Sequence, residues 1–341
     1  MKAAVLVAQN EPLAVAEVEI PELGVGQVLV KVAFSGICGK QMEEINGKRG
    51  PDPYIPHLLG HEGAGEVVDV GLGVRKVKSG DHVVMHWMKG SGIDSLPPRF
   101  QWDDKTVSAG WVTTFSKYTV VSENRVTPIP KDVPLDVAAL LGCAVTTGLG
   151  IVFKNAAVMP GESIAVFGAG GIGLNVLQGA VLVSAHPIVA VDLFDHKLEW
   201  ASKMGATHLV NGNQPDLPSH LMELLGGKGF DVTVDTTGNR QVREIAYNAT
   251  SDEGRTILAG VPQLQDTLSI DSFPLHHGRR IIGSHGGDTS PDEDIPRYLK
   301  LYQLGKLNLE DQITHRFALD DVNEAVAKVQ QGDVGRCLIT L

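Results

Sequence analysis

Three residues of this chain are of types that hold transition metals. Cys38 stands in SGICGKQ, His61 opens HEGAGEVVDVGLGV, and Cys143 stands in LLGCAVTTG. Two thiolates and an imidazole form a soft ligand set suited to Zn²⁺. Three protein ligands leave a fourth position for water or substrate, which is the catalytic arrangement. The same residue types also serve without a metal. A buried cysteine is often a small hydrophobe, and a His-Glu pair is often structural. Cys337 shows no role in either pattern. Three cysteines cannot build a disulfide framework, so a reducing compartment is expected.

A second pattern could bind a nucleotide. Gly168-Ala-Gly170-Gly171-Ile172-Gly173 follows SIAVF and precedes an apolar helical run. Gly168 allows a tight turn, Gly170 lets backbone approach a pyrophosphate, and Gly173 lets helix and strand pack closely. The helix N-terminus, from Gly171 and Ile172 onward, faces the phosphates. Asp192 ends the next strand-like run, about twenty residues on. Its carboxylate can accept from both ribose hydroxyls and would repel a 2′-phosphate. Leu193 and Phe194 offer no arginine for one, so NAD is favoured over NADP.

These residues need two kinds of scaffold. Up to about Pro130 the chain is strand-like: KAAVLV, LAVAEVEI, QVLVKVAF, GEVVDV and DHVVMH are short, Val-rich and separated by turn signals. Beyond it, strand and helix patterns alternate from SIAVF through PIVAVD, THLVN, FDVTVD, TILAG and RIIGS. That alternation predicts a doubly wound parallel sheet of the Rossmann type. Two more helices and a short strand, RCLITL, close the chain. Lys89 to Gly110 reads as a long loop.

The composition limits the function classes. The 341 residues are long enough for two domains at ~150 residues each. The net charge of −11 argues against nucleic acid or an anionic membrane as partner. No apolar run approaches the ~20 residues of a membrane span, and the N-terminus reads as a strand rather than a signal peptide.

The chain resembles, essentially end to end, the zinc-dependent alcohol dehydrogenases of the medium-chain dehydrogenase/reductase superfamily. The segment from Gly60 to Val74 carries the signature G-H-E-x-x-G, with Gly65, Gly71 and Val74 in place, and Gly142-Cys143 with Thr147 matches the third-ligand segment. The resemblance implies an α/β two-domain fold. Residues 1–142 would form a β-rich GroES-like catalytic domain and 143–285 a Rossmann NAD-binding domain. Residues 286–341 would return to the catalytic domain. It further implies that Cys38, His61 and Cys143 ligate one catalytic zinc per subunit, with Glu62 behind the metal as an alternate ligand. Thr147 would lie beside the nicotinamide, Asp192 and Lys197 would hold the adenosine ribose, and Arg336 would reach the pyrophosphate. Trp87 matches a position walling the substrate pocket.

Three departures from the family pattern matter. Residues 88–110 lack the four cysteines of a structural zinc, so none is expected. That segment is expected either to be ordered otherwise, with Phe100 and Trp102 as candidates to pack, or to be partly mobile. Lys40 stands where the family places a Ser or Thr that relays the alcohol proton. Lys40 could accept that proton, bind an anionic substrate group, or point to solvent. Gln41 replaces the acidic residue that orients the zinc-bound histidine; it can accept a hydrogen bond but carries no charge. His57 and Glu43 are further candidates for the proton relay.

The implied reaction is reversible NAD-linked oxidation of a primary or secondary alcohol, with zinc favouring the alkoxide and hydride passing to the nicotinamide. Polyols, sugars, cyclitols and anionic alcohols are admissible substrates. The expected setting is a cytoplasmic homodimer or homotetramer with no nucleic-acid or membrane partner. The alternatives are a zinc-free quinone or enone reductase of the same superfamily and a non-catalytic nucleotide-binding protein.

Overall fold

The computed structural model describes residues 1–341. The chain divides into two units, Met1–Ala144 with Ser290–Leu341, and Val145–Thr289.

The first unit is organised by the strand Gln27–Ile37. Val28, Val30 and Val32 alternate into the core and are essentially inaccessible. This strand pairs antiparallel with Glu62–Val70, Tyr118–Ser122 and Arg336–Thr340. The sheet runs on through His82–His86 to Val126–Ile129 on one side and to Ile313–Ala318 on the other. A five-stranded sheet accompanies it, in the order Ala14–Glu17, Lys2–Leu6, His57–Leu58, Lys105–Ser108, Arg99–Trp102.

Register does the positioning. Ser35 opposes Gly63, and Ile37 opposes Cys337. Cys38, Glu62 and Arg336 therefore emerge at one end of three adjacent strands. Helix Gly39–Ile45 starts immediately after Cys38, and its Met42 and Ile45 pack with Ile37, Cys337 and Ile339. Cys337 is a core thiol there, and burial pushes its pKa up to about 11.

The segment read as a loop contains a hairpin, Arg99–Trp102 against Lys105–Ser108. Asp103 takes a positive φ of 52° at its turn. Phe100 and Val107 pack inward with Val5 and Leu58, while Trp102 is partly buried against the same cluster. The alternation is only four residues long on each side, too short to stand out amid Gly, Pro and Ser.

Ahead of the hairpin, two carboxylates tie down the backbone. Glu123 is almost fully buried. Its Oε1 accepts the N–H of Arg75 at 2.6 Å and of Lys76 at 2.7 Å, and its Oε2 that of Ile93 at 2.8 Å. Burial pushes this carboxyl up, but the three N–H donors outweigh it and hold its pKa below the usual range. Asp292 accepts Ser91 N–H at 2.6 Å and pairs with Lys76. Beside it His86 donates from Nδ1 to the Met88 carbonyl (2.7 Å) and sets Nε2 against the Thr127 hydroxyl (2.9 Å).

The second unit has six parallel strands in the order His208–Asn211, Ile188–Asp192, Ile164–Phe167, Phe230–Asp235, Thr250–Leu258, Arg280–Gly283. In chain sequence this is 3-2-1-4-5-6, the doubly wound order. The helix Gly171–Leu182 is buried along most of its length, with Leu174, Val176, Leu177 and Ala180 in the core. No single helix of the chain is long and apolar enough to cross a membrane.

Two outcomes follow from these contacts. Glu123→Gln removes the charge behind three backbone hydrogen bonds and turns a donor toward one of them. It should cost about 2–4 kcal/mol of unfolding free energy and raise amide exchange at residues 75, 76 and 93. Unchanged exchange there would show that the segment is held elsewhere. His86 supplies a pH window. Burial lowers its pKa to about 4, whereas an unfolded histidine titrates near ~6.5. Its contribution is full above pH ~6.5 and is lost as pH falls toward 4, about 3 kcal/mol in all. In urea titrations against pH, His86→Gln should flatten that part of the profile.

Candidate active site

The ligand atoms of Cys38, His61 and Cys143 lie within 4.8 Å of one another. Each comes from a different place in the first unit. Cys38 precedes the helix Gly39–Ile45, His61 precedes the strand Glu62–Val70, and Cys143 follows the short helical turn Leu140–Gly142. The Glu62 carbonyl is fixed by hydroxyls, Ser35 Oγ at 3.1 Å and Thr114 Oγ1 at 3.0 Å. His61 Nδ1 lies 2.5 Å from the Gln41 amide, which leaves Nε2 for the cluster.

The electrostatics fit a divalent cation. A hydrogen bond from Cys143, then His61 and Arg336, hold the Cys38 thiol far below its ordinary range in spite of burial. The same contact, burial and the Cys38 charge push Cys143 far above it. One thiolate forms readily and the second is suppressed by the first. A metal dication supplies the charge that lets both ionise. Burial lowers His61, but Cys38, Glu62 and Glu44 outweigh it and the net direction is up.

Glu62 lies behind the ligands and is wholly buried. Its Oε1 takes the Arg336 guanidinium, and its Oε2 lies 3.4 Å from Ala144 N. Burial raises the Glu62 pKa, with Arg336 opposing and Cys38 adding. The resemblance sends Arg336 to a pyrophosphate. In the structure its guanidinium is buried against Glu62 and its Nε has no partner. The reason is the register of Cys337 on Ile37, which places Arg336 at the same sheet end as Glu62.

Close approach makes Gly142 necessary. A Cβ there would lie 2.4 Å from the Met85 carbonyl oxygen and 2.8 Å from Glu62 Cβ. Gly36 is crowded likewise, by Glu62 and Arg336. The need for glycine at 36 carries no local sequence signal, because it arises between strands.

The candidate relay residues have partners of their own. Lys40 Nζ lies 2.6 Å from Glu44 Oε1, with a third of its side chain exposed. Glu43 holds Arg49 at 2.9 Å. His57 donates from Nδ1 to the Leu58 carbonyl, with Nε2 3.0 Å from Asp52. Glu44 was missed in the sequence, although its i,i+4 spacing from Lys40 was a usable signal. Trp87 is partly buried, and its carbonyl accepts from Arg125.

In the second unit the glycine-rich turn has the expected form. Gly168 has φ +94°, Gly170 caps the helix with open space beside it, and Gly173 lies so near the Gly168 carbonyl that a Cβ would be 1.8 Å from it. Gly171 and Ile172 form the first turn of the helix and stay partly exposed. Asp192 Oδ2 accepts Ala169 N–H at 2.7 Å and Oδ1 accepts Phe194 N–H at 3.1 Å. Lys197 Nζ lies 5.3 Å from the centre of the Phe194 ring. Thr147 is buried in the helix Ala144–Gly150.

Residues 24–131 match the family of alcohol dehydrogenase GroES-like domains, and residues 171–303 match that of zinc-binding dehydrogenases. The chain is 34% identical to the alcohol dehydrogenase class-3 of Cereibacter sphaeroides, over 99% of each chain. The chain belongs to the zinc-dependent alcohol dehydrogenases. It is likewise 34% identical to the S-(hydroxymethyl)glutathione dehydrogenase of Paracoccus denitrificans, with 99% of each chain covered. The crystal structure of benzyl alcohol dehydrogenase from Acinetobacter calcoaceticus superposes with a TM-score of 0.91 at 28% identity, covering 100% of this chain and 99% of that one. The enzyme is thus an alcohol dehydrogenase of GroES-like and Rossmann architecture, with zinc and NAD as its cofactors.

Gly142→Ala should displace Glu62 or the Met85 strand and lower both thermal stability and zinc content. A variant with full zinc by metal analysis and an unchanged melting temperature would show that the strand gives way cheaply.

Proposed function

We propose that this dehydrogenase acts on small, neutral, polyhydroxylated alcohols such as polyols, sugars or cyclitols, reversibly and with NAD. The observation that carries the reaction class is the Cys38, His61, Cys143 cluster in a chain related to alcohol dehydrogenases along its full length. Residues 1–142 and 286–341 serve as catalytic domain and 143–285 as nucleotide domain.

When bound, zinc supplies Lewis acidity toward the substrate oxygen and NAD supplies the hydride acceptor. The protein's own groups do the rest. Cys38, His61 and Cys143 hold the metal, and Glu62 with Arg336 fixes the electrostatics behind it. Thr147, the turn Gly168–Gly173, Asp192 and Lys197 seat the nucleotide. Lys40 is the proposed acceptor of the alcohol proton; held as an ammonium by Glu44, it must first release its own proton to solvent, with Glu43 and His57 nearby in sequence as polar support.

The neutral substrate class follows from the segment after Cys38. Lys40–Glu44 and Arg49–Glu43 are ion pairs and Asp52 lies against His57, so with Lys48 the segment carries three basic and three acidic residues and is polar without net charge. A substrate anion would have to displace Glu44 from Lys40 and then lie beside it. An uncharged hydroxyl-rich molecule can hydrogen-bond to these groups with no such conflict.

The setting we propose is a cytoplasmic homodimer or homotetramer. Three free cysteines fit a reducing compartment. The strand Arg280–Gly283 ends its sheet and leaves one edge available to a second copy.

The test is NAD reduction by zinc-loaded enzyme with simple alcohols, neutral polyols and cyclitols, anionic alcohols and S-(hydroxymethyl)glutathione. Turnover should be highest with neutral polyols, and Cys38→Ser should lose at least about 100-fold with loss of metal. Turnover confined to anionic alcohols would instead make Lys40 a substrate clamp. Turnover confined to the glutathione adduct would place the enzyme with those relatives.

A further inference from the structure

Gln41 is 1% exposed and has two partners with opposite demands. Its Oε1 accepts the Cys38 backbone N–H at 2.9 Å. That donor is unambiguous, so it fixes which end of the amide is oxygen. The amide nitrogen then faces His61 Nδ1 at 2.5 Å, and an NH₂ group can only donate. In this arrangement Nδ1 is an acceptor, and the imidazole proton sits on Nε2, the nitrogen turned toward Cys38 and Cys143.

A histidine that binds zinc through Nε2 needs the other tautomer. Nδ1 must carry the proton and donate it to an oxygen. The amide can provide that oxygen only by turning over. Its NH₂ then confronts the Cys38 N–H, donor against donor, and a nearly buried backbone donor loses its acceptor. A carboxylate in the same place would meet neither difficulty, since one oxygen could accept from Cys38 N–H and the other from Nδ1–H.

We infer that Gln41 is the positioning residue that sets zinc affinity in this enzyme, because zinc uptake requires its amide to rotate away from the Cys38 N–H. The consequence is a site that holds zinc less tightly than its ligand set allows. The inference rests on Cys38, His61 and Cys143 being the zinc ligands.

The experiment is zinc affinity by competition with a chromophoric chelator, for the full chain and for Gln41→Glu. Gln41→Glu should bind zinc about 10–100-fold more tightly, a gain that a merely structural role for Gln41 would not produce. Equal or weaker binding by a variant with normal thermal unfolding would overturn the inference. A second measurement covers a variant that does not fold. With ¹⁵N-cysteine labelling the native chain gives three amide signals. On zinc addition, deuterium exchange at the Cys38 amide should quicken relative to Cys337, which lies within a strand ladder. A Cys38 amide that keeps its protection would overturn the inference. Zinc uptake without these changes defeats the role of Gln41 alone, whereas a native chain that takes up no zinc defeats the ligand assignment as well.

Discussion

The ligand cluster depends on a buried ion pair, Glu62 with Arg336. Two thiolates and a carboxylate bring three negative charges to one dry end of a sheet. Arg336 brings one positive charge and a divalent metal brings two, so the site closes electrically only with both. Burying a carboxylate alone would cost several kcal/mol. Arg336 offsets that cost and also favours the charged form of each sulfur. The pair in turn requires the ladder that sets Arg336 and Glu62 on either side of Gln27–Ile37, and the two glycines that leave it room. Sheet register, glycine placement and metal chemistry are therefore a single constraint.

The region before the hairpin shows backbone and carboxylates ordering a segment where the family resemblance would place a structural zinc. Glu123 collects three N–H groups and Asp292 a fourth, while Phe100 and Val107 anchor the hairpin in the core. An ionised carboxylate accepts from several directions at once, so one side chain can gather residues distant in sequence. Glu123 directly follows a strand paired to Gln27–Ile37. The same central strand thus steadies both this segment and the metal ligands.

Much of this was legible beforehand, and the limits are physical. The parallel sheet showed through its strand-helix alternation, because periodicity is local. The turn at Gly168–Gly173 showed through fixed spacing, and Cys38, His61 and Cys143 through residue type once the surrounding motif was recognised. The hairpin at 99–108 was hidden because its strands are four residues long. Gly36, Glu123 and the Arg336–Glu62 contact were hidden because each is a relation between segments far apart in the chain. Lys40 stands out in the sequence as a departure, while its partner Glu44, one helical turn away, is an ordinary acidic residue that the contact distinguishes.

At Asp192 the proposed selection of cofactor and the stability of the glycine-rich turn become inseparable. Its two oxygens fix the N–H groups of Ala169 and Phe194, so the carboxylate is oriented before any nucleotide arrives. Each oxygen keeps a further lone pair, enough to accept from two ribose hydroxyls. In that proposed role a 2′-phosphate would meet the Asp192 charge directly; Leu193 and Phe194 carry no charge, and the cation nearby is Lys197, over the Phe194 ring. The bond to Ala169 lies inside the glycine-rich turn itself. In the proposed nucleotide site, removing the carboxylate to admit a phosphate would therefore also release the turn proposed to bind the pyrophosphate, so a change of cofactor preference would need a replacement acceptor for Ala169 as well as a new cation.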